Sequence, residues 1–164
     1  RRAARMGCDG GGGTRAATQR AAGAGEVPAM TRALVPYHLA VLRVVPHVHL
    51  GAFTNIGVVL HARTAEFLGL RTLREPEQLR RLVPDVDVDL LVRYLESCDA
   101  ICRGDAAGGP VALLPPSERF HWLSAPRSDV LQCSPVHMGL AEDPARALDE
   151  LFAAFVTQPA RAQP

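Results

Sequence analysis

Residues 37–45 read Tyr-His-Leu-Ala-Val-Leu-Arg-Val-Val, and this run decides the fold class. Its apolar side chains occur at both alternating sets of positions, a pattern typical of a strand that is covered on both faces. Pro46 ends the run because proline has no N–H to donate to a neighbouring strand. The stretch therefore predicts a strand between two packed layers.

Two more strands are predicted downstream of this run. In residues 55–61, Ile56, Val58 and Leu60 alternate with Gly57 and Val59, as in a strand with two distinct faces. Residues 46–53 form the turn region before it, and a short turn after it leads to a third strand over residues 66–70. Strands joined by such short connections pair in antiparallel fashion.

Helical periodicity replaces the alternation after residue 75. A short helix is predicted from Pro76, with Leu79, Leu82 and Val83 on one face, and a longer one from a cap at Asp85 or Asp87 to Gly104. The third predicted helix has Asp143 as its cap and Pro144 in its first turn. Its apolar stripe comprises Leu148, Leu151, Phe152 and Phe155.

The segment between the second and third helices is predicted to be loops and short strands. Residues 104–118 are rich in Gly, Ala and Pro and predict a loop with a short extended piece at 111–114. Residues 119–123 alternate, with Phe120 and Trp122 on one face, and residues 130–132 predict another strand before Pro135. The expected fold is α+β, a small mainly antiparallel sheet packed with three helices.

The chain is expected to contain one folded domain between two disordered ends. Residues 1–33 are rich in Arg, Gly and Ala and hold almost no large apolar side chain, so they predict a disordered tail. Our hypothesis is that Met30 is the natural start. Residues 34–158 form the predicted single α+β domain, and residues 159–164 the disordered C-terminus.

Charge and composition exclude several classes of function. The tail carries six arginines against two acids, a net charge of +4, whereas residues 34–164 carry twelve arginines against fifteen acids, a net charge of −3. An acidic domain lacks the cationic surface of a nucleic-acid binder. No stretch approaches the roughly 20 apolar residues that cross a bilayer, and no secretory signal accompanies the four cysteines. We therefore expect a cytoplasmic protein with reduced thiols and neither nucleic-acid nor membrane partners.

Sequence motifs that identify an enzyme class are absent. The chain has no Gly-Lys-Ser/Thr phosphate loop, no Gly-x-Gly-x-x-Gly, no His-Glu-x-x-His and no Gly-x-Ser-x-Gly, and it contains no lysine at all. Cys98 and Cys102 continue a helical apolar stripe, and His47 and His49 lie in a turn without further spaced ligands. We expect neither a cofactor nor a metal, and the sequence leaves open whether the protein is catalytic.

One polar cluster near the C-terminal end is the best candidate for a binding site. Arg127 offers a rigid guanidinium fork for a carboxylate or phosphate, and Ser128 could supply a second donor. Gln132 and Ser134 could add donors and His137 a general base. Asn55, which opens a predicted strand before Gly57, joins this list. The alternative is structural, with Arg127 paired to a carboxylate such as Asp129, Ser128 in a turn, and a β-bulge in which Asn55 serves a turn.

Two blocks of sequence resemble a bacterial family known as domain of unknown function 3037. The first runs from Tyr37 to Leu60 and includes Pro46 and Asn55-Ile56-Gly57-Val58-Val59-Leu60. The second is Arg119-Phe120-His121-Trp122-Leu123-Ser124-Ala125-Pro126-Arg127-Ser128, followed by Gln132, Ser134-Pro135-Val136-His137, Gly139-Leu140 and Asp143-Pro144. Family members usually carry an acid after the glycine that corresponds to Gly51, where this chain has Ala52.

The resemblance implies a partner but no chemistry. Genes of this family tend to lie beside those of HipA-like serine/threonine kinases, which implies a non-catalytic interaction or regulatory module that partners such a kinase. The alternative is a small enzyme or an anion- or phosphate-binding domain that uses the segment from Arg127 and Ser128 to His137. A pocket where Arg127 and His137 converge would favour the enzyme, whereas a flat apolar patch would favour the interaction module.

Overall fold

The computed structural model describes residues 33–127 and 129–158. These residues form five strands and four α-helices, so the α+β class is confirmed and the helices number four rather than three. The strands are β1 (Val35–Val44), β2 (Thr54–Ala62), β3 (Phe67–Thr72), β4 (Leu131–Cys133) and β5 (His137–Ala141). The helices are α1 (Pro76–Leu82), α2 (Val88–Arg103), α3 (Pro116–Ser124) and α4 (Pro144–Phe152).

Strand β1 lies at the centre of an antiparallel sheet. It pairs along one edge with β2, which pairs in turn with β3. Along its other edge it pairs with two short strands in succession, β5 at residues 35–39 and β4 at residues 42–44. The strand order is thus β3-β2-β1-β4, with β5 beside β4 along the same edge of β1.

The pairing of β1 with β2 contains a bulge at Ile56. Leu42 pairs with Gly57 and Arg43 pairs with Asn55, so Ile56 is the extra residue, and its side chain is fully buried. A Cβ added to Gly57 would lie 2.8 Å from the carbonyl oxygen of Arg71 on β3. Glycine at this position therefore allows β3 to approach closely. The bulge at Ile56 and the glycine at position 57 thus both have a structural cause.

One face of the sheet, here called the α2 face, is covered by α1, α2 and α3. Helix α2 begins at its cap Asp87, whose carboxylate accepts a hydrogen bond of 3.0 Å from the Leu90 N–H, and ends at Gly104 in the left-handed conformation. The buried cluster on this face includes Ala40, Leu42, Val44, Ile56, Val59, Leu79, Leu91, Leu95, Ile101, Phe120 and Leu131.

The opposite face, here called the α4 face, is covered by α4 and the turn that follows it. Asp143 caps α4 by accepting hydrogen bonds from the N–H groups of Ala145 and Arg146. Leu148 packs with Leu39, Val41, Val58 and Leu60 of the sheet, and it is 3% exposed. From Leu39 to Val44 both alternating faces of β1 are therefore covered, as residues 37–45 predict, whereas Tyr37 is half-buried and His38 is exposed.

The stripe predicted on the last helix is only partly buried. Leu151 and Phe152 are half-buried, and Phe155 is 39% exposed. The α-helix ends at Phe152, and Ala153–Thr157 form a wider π-helical turn. Because a π turn does not repeat every 3.6 residues, the spacing that leads from Leu148 to Phe152 no longer keeps Phe155 on the same face.

Residues 119–123 form part of helix α3, so the strand predicted there is wrong. Phe120 and Leu123, three positions apart, are buried against the sheet, whereas Trp122 is 40% exposed. Arg119 also favours the helix, since its guanidinium donates to the carbonyl oxygens of Ile101 and Cys102 at 3.0 and 2.7 Å. These bonds add a partner to two carbonyl oxygens in the last turn of α2, of which that of Ile101 also accepts a hydrogen bond from the Gly104 N–H.

Three smaller expectations also need correction. Pro110–Leu113 is a 3₁₀ turn rather than an extended piece, and Leu82 of α1 is exposed although Leu79 and Val83 are buried. Strand β5 was not predicted, because Pro135 suggested that no strand continued there. The strand predicted at residues 130–132 is present as β4.

Several expectations concern residues outside those described. The prediction of a disordered tail over residues 1–33 concerns such residues, except for residue 33. The predicted C-terminal segment 159–164 and Ser128 also lie outside the described residues. Among the described residues, no helix has both the length and the apolar character needed to span a membrane.

Leu148 offers a test of the packing on the α4 face. Leu148→Ala should lower the free energy of unfolding by about 2–5 kcal/mol, because it removes a buried side chain and leaves a cavity against the sheet. Urea denaturation measures the change. The matched control is Leu113→Ala, since Leu113 is 71% exposed and should change stability by no more than about 0.5 kcal/mol. Equal effects of the two substitutions would contradict the packing described here.

Candidate functional site

The candidate residues predicted near the C-terminal end do not converge on one site. Gln132 pairs with Arg43 and His137 with Leu39, so both side chains lie on the α4 face of the sheet. Arg127 lies on the other face, where it lines a cavity with residues of α2 and α3. Along β1, the partners of Gln132 and His137 are four residues apart, roughly 13 Å at the rise of a strand. A single pocket with Arg127 and His137 is therefore not formed.

Asn55 and Gln132 instead flank Arg43, a residue that the sequence analysis did not select. Arg43 is the register partner of Asn55 on β2 and of Gln132 on β4, which places three polar side chains in a row on the α4 face. The Arg43 guanidinium lies 4.2 Å from the centroid of the Phe53 ring. The sequence did hold a signal for Arg43, since it is the one charged residue in the otherwise mostly apolar run 37–45.

Two atoms of this row are buried without a hydrogen-bond partner among the described residues. They are Nε of Arg43 and Oδ1 of Asn55. The Asn55 amide nitrogen is satisfied, since it donates to the carbonyl oxygen of Phe155 at 3.1 Å and so ties the π turn to β2. A donor and an acceptor left free on paired residues could be bridged by a water molecule or a hydroxyl group.

Ser134 has a structural position between β4 and β5. Its backbone N–H donates to the carbonyl oxygen of Val41 at 2.8 Å, and its hydroxyl oxygen accepts a 2.9 Å hydrogen bond from the Val41 N–H. The hydroxyl group donates in turn to the carbonyl oxygen of Pro135 at 2.8 Å. Ser134 therefore satisfies both backbone groups of Val41 at the point where β1 passes from one partner strand to the other.

Arg127 is held by Trp122 rather than by a carboxylate. Its guanidinium lies 4.2 Å from the centroid of the Trp122 ring and donates to the Trp122 carbonyl oxygen at 2.9 Å. Among the described residues no carboxylate lies within 4.0 Å of it, so the expected alternative of an Arg127–Asp129 ion pair is not observed. Among the described residues, the Trp122 carbonyl oxygen is the one hydrogen-bond acceptor of this guanidinium group.

The three described cysteines are unsuited to nucleophilic chemistry. Burial raises the pKa of the Cys102 thiol to about 12 and that of the Cys133 thiol to about 11, and it also raises the pKa of Cys98. The Cys133 thiol donates to the carbonyl oxygen of Leu123 at 3.2 Å. These thiols remain protonated near neutral pH, as expected for core residues.

A Ser–His pair on the α2 face does not extend to a catalytic triad. Nε2 of His61 lies 3.5 Å from Oγ of Ser117, and the imidazole stacks on the Phe120 ring at 5.5 Å. Burial lowers the pKa of His61, and the positive charges of His38, His121, Arg63 and Arg119 lower it further. Because these neighbouring charges are all cationic, no described carboxylate orients the imidazole as a triad requires.

The described residues also hold no arrangement suited to a metal. No group of three His, Cys, Asp or Glu side chains is placed to bind one within ranges 33–127 and 129–158. His47 and His49 do lie together in the turn after β1, with ring centroids 6.0 Å apart, but a third ligand does not join them there.

Comparison with known proteins gives one match. The family model described as "protein of unknown function (DUF3037)" matches residues 39–156. This range includes all four helices and all five strands, except for the first four residues of β1. The chain belongs to this family. No curated protein and no solved structure matches it. The DUF3037 match thus covers both the Arg43 row and the Arg127 cavity, and the family description assigns a function to neither.

Ser134→Ala tests whether the hydrogen bond from the Val41 N–H to the Ser134 hydroxyl group stabilises the fold. The substitution would leave the buried Val41 N–H without its acceptor, and we expect it to lower the free energy of unfolding by about 1–3 kcal/mol. Ser134→Thr keeps a hydroxyl group and should recover part of the loss. Chemical denaturation of both variants measures the difference. If Ser134→Ala is as stable as the wild type, Ser134 is not needed for the fold and becomes a candidate binding residue again.

His61 should make stability depend on pH. Its pKa in the folded protein lies below the 6.5 of an unperturbed histidine, so the unfolded chain takes up a proton first as the pH falls. Stability is therefore complete above about pH 7 and declines below pH 6.5 towards the folded pKa. His61→Gln should flatten the melting temperature over this interval, whereas the exposed His49→Gln should not. Identical pH profiles for wild type and His61→Gln would contradict this assignment.

Proposed function

We propose that this DUF3037 protein is a non-catalytic interaction module that binds an extended segment of a HipA-like serine/threonine kinase in the bacterial cytoplasm. The choice of partner rests on the family resemblance, in which such kinase genes lie beside those of family members. The binding surface is proposed from the described residues. Its location is the free edge of β5 and the side chains next to it.

An uncovered part of the α2 face carries this proposal. Met138 and Leu140 of β5 are 78% and 62% exposed, and their register partners His38 and Pro36 on β1 are exposed beside them. Leu34, which directly precedes β1 and is 59% exposed, lines a cavity together with Leu140. We call this surface the β5 patch, and its members are Leu34, Pro36, His38, Met138 and Leu140. Contiguous apolar exposure of this kind is typical of a contact surface.

The backbone of β5 adds a means of recognition. It pairs with β1 along one edge, and no other described strand pairs with it along the outer edge. An outer edge presents a row of N–H and carbonyl groups that an extended peptide can bind as an additional strand. Alternate apolar side chains of that peptide would then pack over Met138 and Leu140. The proposed occupant is therefore an extended kinase segment with alternating apolar residues.

The described polar groups support a non-catalytic function. Arg127 and His137 lie on opposite faces of the sheet, and the thiols of Cys98, Cys102 and Cys133 are held protonated by burial. The Ser117–His61 pair lies among cations. These observations weaken the enzyme alternative, which needs a nucleophile or base placed next to a binding pocket.

Met138→Glu tests the proposal. A carboxylate on the β5 patch should abolish co-purification with the kinase encoded by the neighbouring gene, because the charge would lose water in the contact without gaining a partner. The fold should be unaffected, since the side chain is largely exposed. The matched control is Leu82→Glu on α1, another exposed apolar position, which should leave co-purification unchanged.

Three results would contradict the proposal. The first is a wild-type chain that does not retain the kinase, and the second is a Met138→Glu variant that retains it fully. The third is loss of a homodimer in Met138→Glu, measured by light scattering, with kinase binding intact. That result would assign the β5 patch to a second copy of this chain.

A further inference from the structure

We propose that the groove which α2 forms with Trp122, Arg127 and Asp129 binds a free α-amino acid with an apolar side chain. The proposal is independent of the β5 patch. It uses two adjoining cavities on the α2 face, of about 110 and 160 Å³, which share Tyr94, Asp129 and Leu131 in their walls.

Arg127 is positioned to hold a carboxylate in the smaller cavity. The Trp122 ring and carbonyl oxygen fix its guanidinium, and one N–H group is used for the bond to that oxygen. The remaining N–H groups of the fork match the two oxygens of a carboxylate. Stacking on an indole ring holds this geometry with little loss of side-chain freedom on binding.

A second charge faces the same cavity and decides the ligand class. Asp129 lines it together with Arg127, yet no ion pair of 4.0 Å or less joins them among the described residues. Asp129 is fixed by the Val130 N–H, which donates to Oδ1 at 2.7 Å. A cation and an anion held apart across a small space complement the α-carboxylate and the α-ammonium group of one amino acid.

Ligands with a single charge fit this groove less well. A simple anion such as phosphate would meet Arg127 favourably but would be repelled by Asp129, and by Asp85 and Asp87 at the larger cavity. A simple cation would meet the opposite objection at Arg127. A zwitterion satisfies both charges at once, which favours it over the phosphate predicted from the sequence as an alternative.

The larger cavity supplies a place for the side chain. Apart from three aspartates, its walls are apolar or aromatic, namely Pro46, Val86, Leu90, Leu91, Tyr94, Val130 and Leu131. The two cavities are together smaller than the roughly 300–1,000 Å³ of pockets that hold drug-sized molecules. The groove is therefore of a size for a leucine-like amino acid and too small for a nucleotide.

Binding to the full chain can be measured by isothermal titration calorimetry with three related probes. L-Leucine should bind, whereas leucinamide, which lacks the carboxylate, and 4-methylpentanoate, which lacks the ammonium group, should each bind at least about tenfold more weakly. This comparison uses only the wild-type protein, so its outcome does not depend on the folding of a variant.

Variants then assign the binding to the groove. Arg127→Lys replaces the fork with a point charge and should weaken leucine binding about tenfold or more, and Asp129→Asn should do the same by removing the partner of the ammonium group. Arg146→Lys on α4 is the matched control, because its guanidinium pairs with Glu150 on an exposed helix surface and should not affect binding.

The proposal would be overturned by any of three results. One is that leucine, phenylalanine, methionine and valine all fail to bind at millimolar concentration. Another is that leucinamide or 4-methylpentanoate binds as tightly as leucine. The last is leucine binding that persists unchanged in both Arg127→Lys and Asp129→Asn. None of these results bears on kinase binding at the β5 patch, so the two proposals can fail separately.

Discussion

The burial of β1 on both faces is the constraint on which the rest of the domain depends. Leu42 and Val44 pack beneath α2, while Leu39 and Val41 pack beneath α4, so neither layer of helices can be removed without exposing one side of the central strand. Every other strand is positioned from β1, directly or through β2. The edge shared by β4 and β5 adds a second requirement, because the backbone of Val41 must be satisfied between them. Ser134 meets it with its N–H and its hydroxyl group.

This arrangement restricts where chemistry can occur. A core that is apolar on both sides of the sheet keeps the buried Cys102 and Cys133 thiols protonated, and burial lowers the pKa of His61, which favours its neutral imidazole. Charged and exposed apolar groups are found instead at the two ends of β1. The Arg127 groove lies beside the end that pairs with β4, and the β5 patch lies beside the other. A ligand and a macromolecular partner could therefore occupy the α2 face together.

The elements that could be predicted are those in which one local pattern continues over many residues. The apolar positions of α2 repeat with helical spacing over sixteen residues, which excludes a strand there. The run in β1 is apolar at both alternating sets of positions and ends at Pro46, which is typical of a strand buried on both faces. Helix α3 is shorter, and the five residues 119–123 fit alternation as well as they fit a helix. Phe120 and Leu123 decide for the helix only once the sheet beneath them is known. Strand β5 is only five residues long and follows Pro135, which indicates an interruption, so its pairing with β1 is visible only in the tertiary structure.

The candidate site was harder to predict than the fold, because its residues come from separate segments that meet only through tertiary pairing. The sequence by itself determined the α+β class, the family, and the main strands and helices. Only the tertiary structure decided that Gln132 and Asn55 flank Arg43, that Ser134 bonds to Val41, and that Arg127 and Asp129 line one cavity. Local patterns follow from the geometry of one helix or strand. Which faces meet depends on strand register and on bulges such as that at Ile56, and pairing between distant segments sets both of these.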